Sequence, residues 1–128
     1  MNKLIIDVAN EKIFLMIISN VSIYNITHEN TKINYEKLTI IINDFILSKN
    51  IKITDINAIY INQGSGSFAG IRNSMSVVKA FNVAKNIDYY CYNLDHFKDE
   101  KDLSHENIPN LCKKYKIKKN LINPVYLS

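Results

Sequence analysis

The sequence predicts an α/β fold in which a three-strand antiparallel meander is continued by parallel strands with crossover helices. Three observations predict it. Three apolar runs near the start are joined by connections too short for a helix, the apolar period then changes to a helical one, and an apolar strand leads directly into a cluster holding all three glycines of the chain. The 128 residues suit one domain with one core.

The elements follow in order. Residues 4–9 form an apolar run that ends in the turn pair Asn10-Glu11, residues 13–19 form a second, and residues 21–26 alternate apolar with polar as a half-exposed strand does. Neither connection can hold a crossover, so these strands pair antiparallel. Between residues 31 and 49, Leu38, Ile41, Ile42, Phe45 and Ile46 recur at helical spacing, and Asn50 is a stop for that helix. Residues 56–61 read as a strand buried on both faces, 71–85 as a second helix and 88–93 as a fifth strand. Residues 103–115 suit a short helix, with an interruption expected near Pro109, which lacks a donor and restricts the residue before it.

Composition bounds the function. Hydrophobic residues at 47% and charged residues at 22% describe a folding chain rather than a disordered one. A net charge of +4 permits an acidic partner such as RNA without requiring one. Much of the excess lies in Lys113, Lys114, Lys116, Lys118 and Lys119, either a solvated tail or an RNA contact. Cys91 and Cys112 have neither CxxC spacing nor a nearby histidine pattern, so a buried structural thiol is favoured over zinc or a disulfide. The first apolar run is broken by Asp7, Asn10, Glu11 and Lys12, which fits neither a signal peptide nor a membrane span, and a cytoplasmic location is expected.

The stretch 64–72, GSGSFAGIR, is the most informative. Gly64, Gly66 and Gly70 with Ser65 and Ser67 lie between a strand and a helix start, where free backbone N–H groups can hold an anion, or where glycine simply permits a tight turn. The spacing leaves both open. It matches neither GxxxxGK[ST] nor GxGxxG, which argues against an ordinary nucleoside-triphosphatase loop. Arg72 is the only arginine, a hint of bidentate recognition set against chance. Phe68 reads as a core plug in preference to an interface anchor.

These residues resemble the GPGSFTGIR-type segment of the TsaB family, formerly YeaZ, with Ser65 in place of the usual Pro and Ala69 in place of the usual Thr. Leu4-Ile5-Ile6-Asp7 resembles the family's opening strand, Asp7-Val8-Ala9 standing where an Asp-Thr-Ser-like triplet is usual. Residues 54–59 resemble the approach to the strand before the loop, and Pro124-Val125-Tyr126-Leu127-Ser128 resembles the family's Pro-x-Tyr-Leu-Arg ending. Asn34 and Thr39 stand where the family's His and Leu-Pro pair are usual. Family members are commonly much longer. The resemblance covers residues 1–97 as a reduced actin-like (ASKHA, ribonuclease H-like) half, with 98–128 as a short segment replacing most of the second half-domain.

The resemblance implies a non-catalytic subunit that binds and supports TsaD, the transferase that makes N6-threonylcarbamoyladenosine beside the tRNA anticodon. TsaE joins the larger assembly, and tRNA is met indirectly. It implies a partner face on the two helices, carried by Leu38, Ile41, Ile42, Phe45, Met75, Val78, Lys79 and Asn82, which could also serve a homodimer. No cofactor is expected on the chain alone, though ATP or ADP with Mg is possible in the complex. Asp7 with the glycine loop could serve an independent ATP-binding hydrolase, but the loss of hydroxyls at Val8 and Ala9 favours a structural carboxylate. A tRNA-binding accessory acting through the lysine tail is a further alternative. His28, His96 and His105 are scattered at no ligand spacing.

Overall fold

The computed structural model describes residues 1–10, 12–64, 66 and 68–122, residue 68 by its backbone alone. Strands β1 (Asn2–Asp7), β2 (Lys12–Ile18), β3 (Ile23–Glu29), β4 (Ile56–Asn62) and β5 (Asp88–Tyr92) form one mixed sheet in the order β3-β2-β1-β4-β5. β1 to β3 are antiparallel, whereas β4 lies parallel to β1 and β5 parallel to β4. Helices α1 (Lys32–Glu36) and α2 (Leu38–Ser48) connect β3 to β4, α3 (Phe68–Lys85) connects β4 to β5, and α4 (Ile108–Lys114) follows β5.

Alternation of side chains along the strands divides the core in two. Leu4 and Ile6 of β1, Leu15 of β2 and Ile59 and Ile61 of β4 face α2 and α3, meeting Leu38, Ile42, Phe45, Met75 and Val78. Ile5, Met16, Tyr60 and Tyr92 point the other way and are covered by Phe97, Ile108, Leu111 and Cys112. The segment after β5 is therefore a second layer over the sheet. Phe97 is its centre, with its ring 6.1 Å from that of Tyr92 and 5.3 Å from that of Tyr115.

Three of the differences from expectation have a clear local reason. The third strand starts at Ile23 because residues 19–22 are consumed by a turn in which the Ser19 hydroxyl accepts from the N–H groups of Val21 and Ser22. The helical stretch 31–49 is two helices. Thr31 caps the first through the Asn34 N–H, and Lys37, at φ −100° and ψ 12°, separates them. Pro109 does not interrupt a helix: it sits in the first turn of α4, where its missing donor costs nothing.

The β5 edge is closed by the chain's return. The Asn120 N–H donates to the Tyr89 carbonyl at 2.7 Å, its side-chain oxygen accepts from the Tyr89 N–H at 3.0 Å, and its amide donates to Asp88 at 2.9 Å. Both cysteines are buried and free, and burial pushes each thiol up to about 12, which keeps it protonated and unreactive.

Because Phe97 is wholly buried beneath the sheet, Phe97→Ala should lower unfolding free energy by about 3–5 kcal/mol in urea titrations. A loss below about 1 kcal/mol would show that the second face contributes little to stability.

Candidate functional site

Parallel strands place loops at their carboxyl ends, where sites in open α/β sheets usually form. β1 ends at Asp7 and β4 at Asn62. The Asp7 side chain is buried, and a buried carboxylate must be hydrogen-bonded. It accepts from the Ala9 N–H at 3.1 Å, from the Asn10 amide at 3.4 Å and from the Asn62 amide at 3.4 Å to each oxygen. The fourth donor is His105, whose Nε2 lies 2.9 Å from Asp7 Oδ2. A carboxylate only accepts, so this contact selects the tautomer with the proton on Nε2. The imidazole also stacks on Phe14, ring centroids 4.1 Å apart. Beneath the site, burial and then the Asp7 charge hold the Tyr92 hydroxyl well above its ordinary pKa.

The glycine loop packs directly against this joint. Asn62 turns its side-chain oxygen to the Gly64 N–H at 3.0 Å, and Gly64 has φ 134°, a conformation that favours glycine. A Cβ on Gly66 would lie 2.5 Å from the Ala9 carbonyl oxygen. Gly66 thus permits contact between two backbones and meets protein rather than open space.

The structure brings some sequence-singled residues together and separates others. Asp7, Gly64 and Gly66 share the site, and Gly70 lies in the first turn of α3. Arg72, two residues further on, is exposed. Ser65, Ser67 and the Phe68 side chain lie outside the described residues, as does the 124–128 ending. Leu38, Ile42, Phe45, Met75 and Val78 are corrected: they lie inside the chain's own core, where a partner could reach them only by opening it. Ile41 is partly buried against the same core, and Asn82 donates to the Ile87 carbonyl and to Asn120, which leaves Lys79 exposed. The outward residues of the helices are instead Ile33, Ile40, Leu47 and Val83, the last 83% exposed.

His105 is what sequence reasoning missed. It is 98 residues from Asp7 and reaches it only because the segment after β5 folds back over the sheet. Asn62 carried a weak signal, a polar residue ending an apolar strand just before the glycines. An open cleft of ≈ 620 Å³ adjoins His105, lined also by Ala9, Asn10, Lys12, Phe14 and Thr27.

Among solved structures the chain is similar to YeaZ from Pseudomonas aeruginosa, with a TM-score of 0.66 and 16% identity over 72% of this chain and 43% of that one. The fold is YeaZ-like. It is also similar to an uncharacterized protein with similarity to peptidase YEAZ from Pseudomonas aeruginosa, with a TM-score of 0.66 and 15% identity over 79% of this chain and 49% of that one. The chain therefore spans less than half the length of either YeaZ-like structure. No protein-family model and no curated relative matches it. Among the described residues, no helix is long and apolar enough to cross a membrane, and no three His, Cys, Asp or Glu side chains are grouped to hold a metal ion.

Asp7→Ala leaves the buried Asn62 amide and the part-buried Ala9 N–H and His105 unmatched and should cost about 2 kcal/mol or more in urea unfolding, against about 1 kcal/mol for the partly exposed His105→Ala. Equal, negligible losses would show that the carboxylate is not a structural joint. Gly66→Ala should destabilise by about 1–3 kcal/mol through its clash with Ala9, read as a lowered thermal midpoint.

Proposed function

We propose that this chain is a non-catalytic, TsaB-like subunit that binds TsaD and supports N6-threonylcarbamoyladenosine modification of tRNA next to the anticodon. The observation that carries this reading is the junction of β4 and α3. Its sequence resembles the TsaB segment, and it stands at the strand-to-helix turn of a YeaZ-like sheet. The five strands then correspond to one half of an actin-like (ASKHA) duplication, and residues 98–122, which cover the second sheet face, stand in for the other half. TsaE would join through the assembly, tRNA would be met indirectly, and the location would be cytoplasmic.

The partner surface is the outer side of the helices. Ile33, Ile40, Leu47 and Val83 are large apolar side chains left in water there, and Ile40 and Leu47 lie two turns apart on one side of α2. A hydrolase centred on Asp7 has less support, since both carboxylate oxygens already accept hydrogen bonds and few lone pairs remain for a magnesium ion. Any ATP or ADP with Mg is accordingly assigned to the junction with the partner rather than to this chain alone.

Co-expression with TsaD from the same organism should give a complex that survives gel filtration at micromolar concentration. Val83→Asp or Lys79→Glu should weaken it about tenfold or more. Absence of any complex would sink the proposal. Light scattering on the chain alone reads the competing outcome, a homodimer through the same face.

A further inference from the structure

The second sheet face carries a pocket remote from Asp7. Its floor is the Tyr60 and Tyr90 pair, rings stacked with centroids 5.0 Å apart and 12° between planes. Lys3 of β1, Lys113 of α4 and Lys116 just beyond α4 stand around it, and no carboxylate lines it. At ≈ 420 Å³ it falls in the range of small-ligand sites.

Two observations separate this pocket from a generally lysine-rich surface. The first is convergence on one concave wall. Lys3, Lys113 and Lys116 make no ion pair among the described residues, which holds for most lysines of the chain, but these three meet at a single pocket that no carboxylate lines. Three unneutralised ammonium groups around a concave wall concentrate positive potential there.

The second is backbone conformation. Among the described residues, four other than glycine have positive φ: Asn50, Asn86, Asn120 and Lys116. Asparagine adopts this conformation readily through local hydrogen bonding, whereas a long unbranched side chain gains no such help. Lys116 at φ 54° occupies the position after the α4 cap that glycine or asparagine usually fills, and the Ile117 N–H closes the motif on the Cys112 carbonyl at 2.9 Å. Where the other described non-glycine left-handed positions carry asparagine, the one beside this pocket carries a lysine.

We propose that the pocket binds a nucleoside phosphate, either free or as one residue of an RNA strand. Phosphate oxygens would meet the ammonium groups of Lys113, Lys116 and Lys3, and the base would lie against Tyr90, the more exposed of the two rings. Burial, with Tyr90 as a second cause, pushes the Tyr60 hydroxyl up to about 12, so it remains a donor at neutral pH. The site lies on the sheet face opposite α1 to α3, so it stands or falls independently of the partner proposal.

Isothermal titration of the intact chain with AMP, inorganic phosphate and single-stranded oligoadenylate tests this. The expected result is saturable binding of AMP or oligoadenylate about tenfold tighter than phosphate, weakened about tenfold or more by Lys113→Glu with Lys116→Glu. The charge-matched Lys85→Glu with Lys101→Glu variant should stay within about twofold of the parent. All four lysines are exposed, and circular dichroism confirms that both variants fold. Oligoadenylate binding that exceeds AMP and falls about 100-fold over a tenfold rise in salt would assign the phosphate to an RNA strand, while equal affinities would assign it to a free nucleotide. No saturable binding, phosphate as tight as AMP, or equal losses in the two variants would overturn the proposal.

Discussion

The central strand must be dry on both sides. Leu4, Ile5 and Ile6 of β1 are successive residues that point alternately to opposite faces, and all three are fully buried. Each such side chain contributes about 1.5–3 kcal/mol when shielded from water, so leaving one face bare would forfeit much of the margin by which a domain this size is stable. The chain therefore has to supply two covers. Helices α1 to α3 provide one, and the segment running through Phe97 to α4 provides the other.

That double cover also determines what happens at the end of β1. Asp7 continues the strand under both layers, and its carboxyl group accepts hydrogen bonds from the Ala9-Asn10 turn, from the end of β4 and from His105 in the returning segment. Three separate parts of the chain thus meet on one carboxylate. The glycine loop closes the same joint from above, through Gly66 against Ala9. A group so fully engaged holds these loops, and with them the start of α3, in place.

Much of the sheet was legible because the local signals agree with one another. The meander follows from connections too short for a crossover, β4 from an unbroken apolar run, and the α3 turn from glycine in a chain that otherwise avoids it. What sequence could not show depends on contacts between distant segments. No proline or glycine marks Lys37 as a break, so the division between α1 and α2 was hidden. The stripe formed by Leu38, Ile42, Phe45, Met75 and Val78 reads equally well as core or interface, and only packing against β1, β2 and β4 assigns it to the core. His105 carries no positional signal, since its partner is defined by the fold of the final segment.

The two edges of the sheet are unequal. On one side Asn120 occupies the backbone groups of Tyr89, and Lys119 bridges to Tyr90, so the last strand is sealed by its own chain. On the other, β3 has a single neighbour among the described residues. Among the described residues the sheet consequently has a polarity of growth: an added strand would extend it at β3, while the chain's own return occupies part of the β5 edge. Glu29 and the exposed Asn25 and Thr27 give that open side a polar outer surface, which disfavours adventitious pairing at the one place where the ladder is unfinished.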